Sequence, residues 1–298
     1  MTRDDLIEKF GAPMKVLDHG HVRLVDLMGD DAAIVQAARV SYGAGVTKRT
    51  EDRGLVRYLM RHRHSTPFEM CEIKLHVKLP VFVARQWVRH RTASLNEVSG
   101  RYSVLPAEFY VPTAEQTCGQ AKKNKQGRAE PLDAVENQMC RSFLEMDAAQ
   151  AFQHYEAMIE RYDLAKETAR MALPVSMYTE WYWKIDLHNL MHFLSLRMDE
   201  HAQWEIRVYA NLIGEIVKAW CPDAWEAFVD YRLEATVLSR MEKLFVRGLV
   251  ADYLDEGEGD LPEPRVTKLR RMLDSFGLSK REIDEFVTRF APEDPKIG

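Results

Sequence analysis

Residues 72–79, EIKLHVKL, alternate polar and apolar positions without a fault, so Ile73, Leu75, Val77 and Leu79 share one face. A period of two over eight residues predicts a β-strand buried on one side. Two shorter runs within residues 14–27, MKVLD and VRLVDLM, predict paired strands joined by a turn at His19-Gly20, and the aromatic run MYTEWYWKI predicts another strand. Helical spacing takes over elsewhere. Asp30-Asp31 opens AAIVQAARV, which ends at Ser41-Tyr42 before Gly43 and Gly45; Thr50 is placed to cap a second helix with an apolar face of Leu55, Leu59 and Met60. Pro80, suited to a first helical turn, introduces VFVARQWVRHR, with Phe82, Gln86 and Arg89 or His90 at helical spacing.

Residues 92–103 read as a loop and 114–134 as a polar surface excursion. The stretch from about 136 to 173 is helical and ends before Pro174; that from Leu187 to Trp220 is helical with a break near Asp199-Glu200. The tail from about 235 holds an acidic loop, DEGEGDLPEPR, then two helices. The first ends at Gly277, and Ser279 with Glu282 forms a capping box for the second. No internal repeat is visible.

Composition narrows the class. A chain of 298 residues, 46% hydrophobic and 29% charged, can bury a full core as one large domain or two modest ones. A net charge of −5 argues against a general nucleic-acid coat and makes any basic cluster a local feature. Cys71, Cys118, Cys140 and Cys221 form no CxxC pair, which fits reduced thiols in the cytosol better than disulfides or zinc. The N-terminus MTRDDLIEKF lacks a signal peptide's apolar run, and no apolar run approaches the roughly 20 residues of a spanning helix. A soluble, cytoplasmic chain without membrane or nucleic-acid partners is expected.

Chemistry concentrates in residues 85–102, RQWVRHRTASLNEVSGRY, where Arg85, Arg89, Arg91 and Arg101 surround His90. Clustered guanidiniums repel unless they meet phosphates or carboxylates. Ser94, Asn96, Glu97, Ser99 and Gly100 add donors that approach an anion closely. The segment is built to hold a phosphorylated ligand. Arg89-His90-Arg91 alone would serve equally as a solvated helix terminus. Glu97 either pairs an arginine or accepts from a ligand. Arg170 either binds a ligand or caps carbonyls while its stem packs. Arg197 lies among Phe193, Leu194, Leu196 and Met198; its rival reading is an ion pair with Asp199, Glu200 or Glu205. His188 and His192, one helical turn apart, face one ligand or sit satisfied in the core. His62, His64 and His90 suggest a metal only weakly, because His-x-His on a helix splits its rings between faces, and no metal is expected. No cysteine has a thiolate-stabilising context, and no P-loop, G-x-S-x-G or G-x-G-x-x-G is present.

Arg89-His90-Arg91, seven residues, then Ser99 and Arg101-Tyr102 resemble the signature of flavin-dependent thymidylate synthases. AARVSYG at 37–43, HSTPFE at 64–69, VKLPVFVARQW at 77–87, ARMALP at 169–174 and LRMDEHAQWEI at 196–206 follow in that family's order, so the resemblance covers roughly residues 14–230. It implies an α/β (α+β) fold: one main domain at 1–234, a sheet with flanking long helices; the C-terminal helical extension at 235–298 lies beyond the resemblance and takes no role from it. It implies a homotetramer with shared active sites, FAD as cofactor, NADPH as reductant, and 5,10-methylenetetrahydrofolate as one-carbon donor to dUMP. The implied FAD contacts are Ser41, Thr66, Arg89, His90, Arg91 and Glu97. The implied dUMP contacts are Gln86, Arg89, Glu97, Val98, Ser99, Gly100, Arg101 and Arg170, with Ser99 and Arg101 at the phosphate. Arg197 is implied at the uracil edge, favouring N3 deprotonation in place of a cysteine nucleophile. Where many members carry an Asn-x-Arg pair and a downstream Asn, this chain has Asp186, His188 and His192, which take over as candidate flavin contacts. Two readings outside this class are a non-catalytic nucleotide- or RNA-binding module and a His-dependent metal hydrolase.

Overall fold

The computed structural model describes residues 1–40, 52–122, 127–255 and 264–290. Ser41, Thr50 and most of the acidic loop lie outside these. The chain divides into two compact units, Met1–Ala235 and Thr236–Gly298.

The first unit is α+β, built on an antiparallel five-stranded sheet. Its strands are β1 (Met14–Val16), β2 (Gly20–Met28), β3 (Glu72–Pro80), β4 (Ser94–Glu97) and β7 (Tyr178–Asp186), in the order β1-β2-β3-β7-β4. The fault-free alternation of β3 follows from its place between β2 and β7. Ile73, Leu75, Val77 and Leu79 are all 0% exposed, worth about 6–12 kcal/mol together as an upper estimate. A bulge between Leu24 and Asp26 shifts the alternation in β2, so Val22 and Leu24 are followed by Leu27 on the buried face.

Helices cover that face: α5 (Val81–Trp87), α8 (Leu187–Arg197) and α9 (Trp204–Trp220), with α1 (Arg3–Phe10) beside β2. α9 buries Ile206, Tyr209, Ala210, Ile213, Ile216 and Val217 along one stripe. Around the sheet lie α2 (Asp31–Arg39), α3 (Asp52–Arg61), the single turn α4 (Thr66–Glu69) and α10 (Pro222–Phe228). The carboxylate of Asp31 accepts from the backbone N–H groups of Asp223 and Ala224, tying α2 to the start of α10. The helix α6 (Ala134–Glu160) is opened by Asp133, which accepts from Val135 and Glu136. It buries Ala148, Phe152 and Tyr155 but leaves Val135, Met139, Phe143 and Met146 exposed along one side.

Several expectations need correction. The helix after Pro80 ends at Trp87, so Arg89, His90 and Arg91 sit on a turn. The expected loop 92–103 contains β4, whose four residues are all exposed and so carry no hydrophobic alternation. The stretch 136–173 is not one helix: α6 ends at Glu160, Asp163 takes φ 50°, and α7 (Lys166–Ala169) with a tight turn at Arg170–Ala172 follows. The polar excursion holds a hairpin of β5 (Cys118–Gln120) and β6 (Arg128–Pro131). The break after Arg197 lies at residues 198–203, as expected.

The second unit has three described helices, α11 (Arg240–Asp255), α12 (Arg265–Ser275) and α13 (Lys280–Phe290). Gly277 takes φ 82° beyond α12, and Ser279 and Glu282 cap α13 reciprocally. No helix among the described residues is long and apolar enough to cross a membrane.

Candidate active site

Trp87, the last residue of α5, is 0% exposed and locks the helix end into an aromatic cluster. Its ring centroid lies 4.7 Å from Phe193, 5.2 Å from Trp183 and 5.8 Å from Trp181. The chain leaves the helix here, with His90 N–H donating to the Trp87 carbonyl at 3.0 Å. That turn delivers Arg89, His90, Arg91 and Thr92 to a cleft of about 270 Å³, closed on the other side by Asn189, His192, Leu196 and Arg197 from α8.

Arg197 is held by neutral partners. Its Nε donates to His90 Nε2 at 3.1 Å and its Nη2 to the Gln86 carbonyl at 3.3 Å. Asp199 turns to His201, and Glu205 accepts from Tyr110 and Arg128, so the ion-pair rival fails: no carboxylate among the described residues pairs with Arg197. Burial lowers the Arg197 pKa from its ordinary value. Burial first, then the charges of Arg197 and His192, push His90 down to about 4. His90 is therefore neutral at pH 7, with Nε2 as acceptor and its proton on Nδ1. The His90 ring stands 5.8 Å from His192 and 5.0 Å from Phe193.

Of the three departures on this segment, only His192 lines the cleft. The Asp186 carboxylate is spent as the cap of α8, accepting from Asn189 N and Nδ2 at 2.9 and 2.7 Å, and His188 is not among the lining residues. Asn189 does line it and escaped the sequence reading, although Asn189, His192 and Leu196 form an i, i+3, i+7 stripe visible in the chain.

The remaining candidates gather elsewhere. Glu97 Oε1 accepts from the Thr179 hydroxyl at 2.6 Å rather than pairing an arginine, and Val98 N–H bonds the Glu180 carbonyl at 2.9 Å. Gln86 Nε2 donates to Gln203 Oε1 at 2.5 Å. Ser99, Gly100, Arg101 and Arg170 form a separate group that does not line the cleft. Gly100 is closely covered there: a Cβ would stand 2.9 Å from Leu105 Cδ1 and 3.2 Å from Arg170 Cδ, so those side chains would have to shift to admit one. Arg85 is exposed on α5, so the four arginines do not converge on His90. A larger cleft, about 970 Å³, is lined by Thr66 with His64, Tyr58, Gln36, Met28 and Met70 among others.

His62, His64 and His90 do not form a metal site. The described group with ligand spacing is instead His21, His76 and Glu180, on the polar face of the sheet. Arg23 Nε already donates to His76 Nδ1 there at 3.1 Å, so that nitrogen is engaged by a cation. Cys71 and Cys221 are buried, and no cysteine lines either cleft.

Residues 23–223 match the family described as thymidylate synthase complementing protein. The chain is 55% identical over 265 residues to a flavin-dependent thymidylate synthase of Gluconobacter oxydans, covering 88% of each chain. It is 54% identical over 274 residues to one of Ruegeria pomeroyi, covering 91% of this chain and 85% of that one. Among solved structures, the UMP/dUMP methylase PolB from Streptomyces cacaoi, bound with 5-Br dUMP, superposes with a TM-score of 0.67. It shares 33% identity over 74% of this chain and 99% of PolB.

Proposed function

The chain belongs to the flavin-dependent thymidylate synthase family, and from that premise we propose that it methylates dUMP at C5 to form dTMP. The one-carbon donor in this reading is 5,10-methylenetetrahydrofolate and the cofactor FAD. A methylene carbon becomes a methyl group by gaining two electrons, which NADPH supplies. The observation that carries the reading is Arg197, a guanidinium gripped by a neutral imidazole and a carbonyl, with no carboxylate among the described residues paired to it.

C5 of uracil is a poor nucleophile. A cationic edge beside the pyrimidine favours its N3-deprotonated, enolate-like form, which pushes electron density onto C5. No cysteine is placed to do this covalently. His90 keeps Arg197 aimed without neutralising it, because the imidazole is uncharged at pH 7.

The donor set also suits a flavin. Arg89, His90, Arg91, Asn189 and His192 provide cations and neutral donors for ring oxygens and a pyrophosphate, and Thr66 and His64 line the larger cleft. Bound there, FAD would carry the reducing electrons. A cleft of about 270 Å³ is small beside the ~300–1,000 Å³ usual for a whole ligand, and Ser99, Arg101 and Arg170 lie outside it. One subunit thus offers a nucleobase site and a phosphate site in different places. This supports a homotetramer in which one copy's phosphate group completes another's base site. In this reading residues 1–234 carry the activity in the cytoplasm, with 235–298 an appended helical domain.

The test is the visible spectrum of the purified protein, followed by anaerobic NADPH with and without dUMP. Flavin bands that bleach, and dTMP formed on adding the folate, are expected. A protein that stays colourless after incubation with FAD overturns the reading.

A further inference from the structure

Three side chains of one short segment are directed at three consecutive positions of the loop that carries Ser99. Lys166 Nζ donates to the Tyr102 carbonyl at 3.1 Å, Glu167 Oε2 accepts from Arg101 Nε at 2.9 Å, and Arg170 Cδ lies against Gly100. Ser99 Oγ accepts from Arg101 N–H at 3.3 Å, so the loop is braced from within as well.

The contact of Glu167 is one-sided. It takes Nε of the Arg101 guanidinium, and no residue among those described takes Nη1 or Nη2, which form a pair of donors at the end of the group. A phosphate is gripped best by such a parallel pair of N–H groups. An unbraced arginine must be ordered at each binding event, at the expense of its side-chain entropy. We propose that Glu167 is a positioning residue: through Nε it holds Arg101 with its Nη pair presented to the 5′-phosphate of the nucleotide. The inference rests on the dUMP reading above and goes beyond it, since Glu167 itself touches no ligand.

The pair is half-exposed, with side-chain exposures of 55% and 54%, so the effect is modest and kinetic in signature. Glu167→Ala is expected to raise the KM for dUMP about 2- to 5-fold with kcat nearly unchanged. Glu167→Gln keeps an acceptor for Nε without the charge and should restore most of the affinity. Binding of deoxyuridine, which lacks the phosphate, should be equal in all three proteins. Thermal unfolding and flavin content serve as folding controls.

An unchanged KM in Glu167→Ala overturns the proposal. So does a lowered KM in both variants, because the carboxylate would then be a competitor of the phosphate. So does an equal loss for deoxyuridine, which would mark a structural role. A wild-type protein that binds no dUMP at all would instead remove the parent reading, and this inference with it.

Discussion

Replacing Arg197 by alanine removes a charge that no carboxylate among the described residues neutralises. The guanidinium contacts His90 Nε2 and the Gln86 carbonyl, so its full positive charge faces the cleft. At ~4 Å and an effective dielectric of ~20 that charge is worth about 4 kcal/mol to an anionic pyrimidine. Arg197 is only partly buried and the cleft is open, so solvent screening reduces this to roughly 2–4 kcal/mol. The rate of dTMP formation should therefore fall about 30- to 1,000-fold at saturating dUMP. Arg197→Lys keeps the charge but cannot span both acceptors, and should fall between. The assay is product formation normalised to bound flavin, which should change little. A second readout is the His90 ring. Its pKa, about 4, is lowered by burial first and by Arg197 next, so it should rise in the alanine variant when followed by NMR titration. An Arg197→Ala protein with full flavin and a rate within about threefold of the parent refutes the electrostatic reasoning.

Further outcomes follow from other parts of the fold. Glu205 is 1% exposed and accepts from Arg128 and Tyr110, so Arg128→Ala strands a buried carboxylate. That should cost about 2–4 kcal/mol and lower the Tm by roughly 4–16 °C, with Glu205→Gln in the same background recovering part of it; a loss under ~1 kcal/mol contradicts this. Trp87→Ala, at 0% exposure, should cost about 3–5 kcal/mol and also loosen the turn bearing His90, seen as weakened flavin retention. Two acid effects oppose each other. Burial raises Asp31 to about 6 against 3.8 unfolded, so stability rises as pH falls through that window, and Asp31→Asn should flatten this slope. His90, lowered to about 4 from 6.5, removes stability as pH falls from about 6.5 to 4, and His90→Asn should abolish that loss in unfolding titrations.

What could be read from the chain depended on burial being written as a pattern. β3 was legible because two neighbouring strands leave it one buried face, and the α8–α9 break showed in Asp199-Glu200. β4 was not, since Ser94–Glu97 is exposed at all four positions and owes its form to pairing with β7. The end of α5 was hidden because Val88 continues the apolar spacing while the Trp87 cluster, formed with residues about a hundred positions away, ends the helix. α11 went unread although Ser239 and Glu242 cap it as Ser279 and Glu282 cap α13. At the site, the arginine-rich signature could be picked out from the chain as a cluster suited to anions. The partners of its side chains could not, because Arg101 meets Glu167 across 66 positions and Arg197 meets His90 across 107. No local spacing encodes such pairs.

All six tryptophans, at 87, 181, 183, 204, 220 and 225, fall within Met1–Ala235, and none lies in Thr236–Gly298. Tryptophan emission, excited selectively, is thus blind to the C-terminal helices, whereas far-ultraviolet circular dichroism counts helices in both units. Recorded on one sample, the two optical signals become separate thermometers for the two halves of the chain. Superimposed melting curves mean one cooperative transition, and curves that part on heating mean that the appended helices melt on their own schedule.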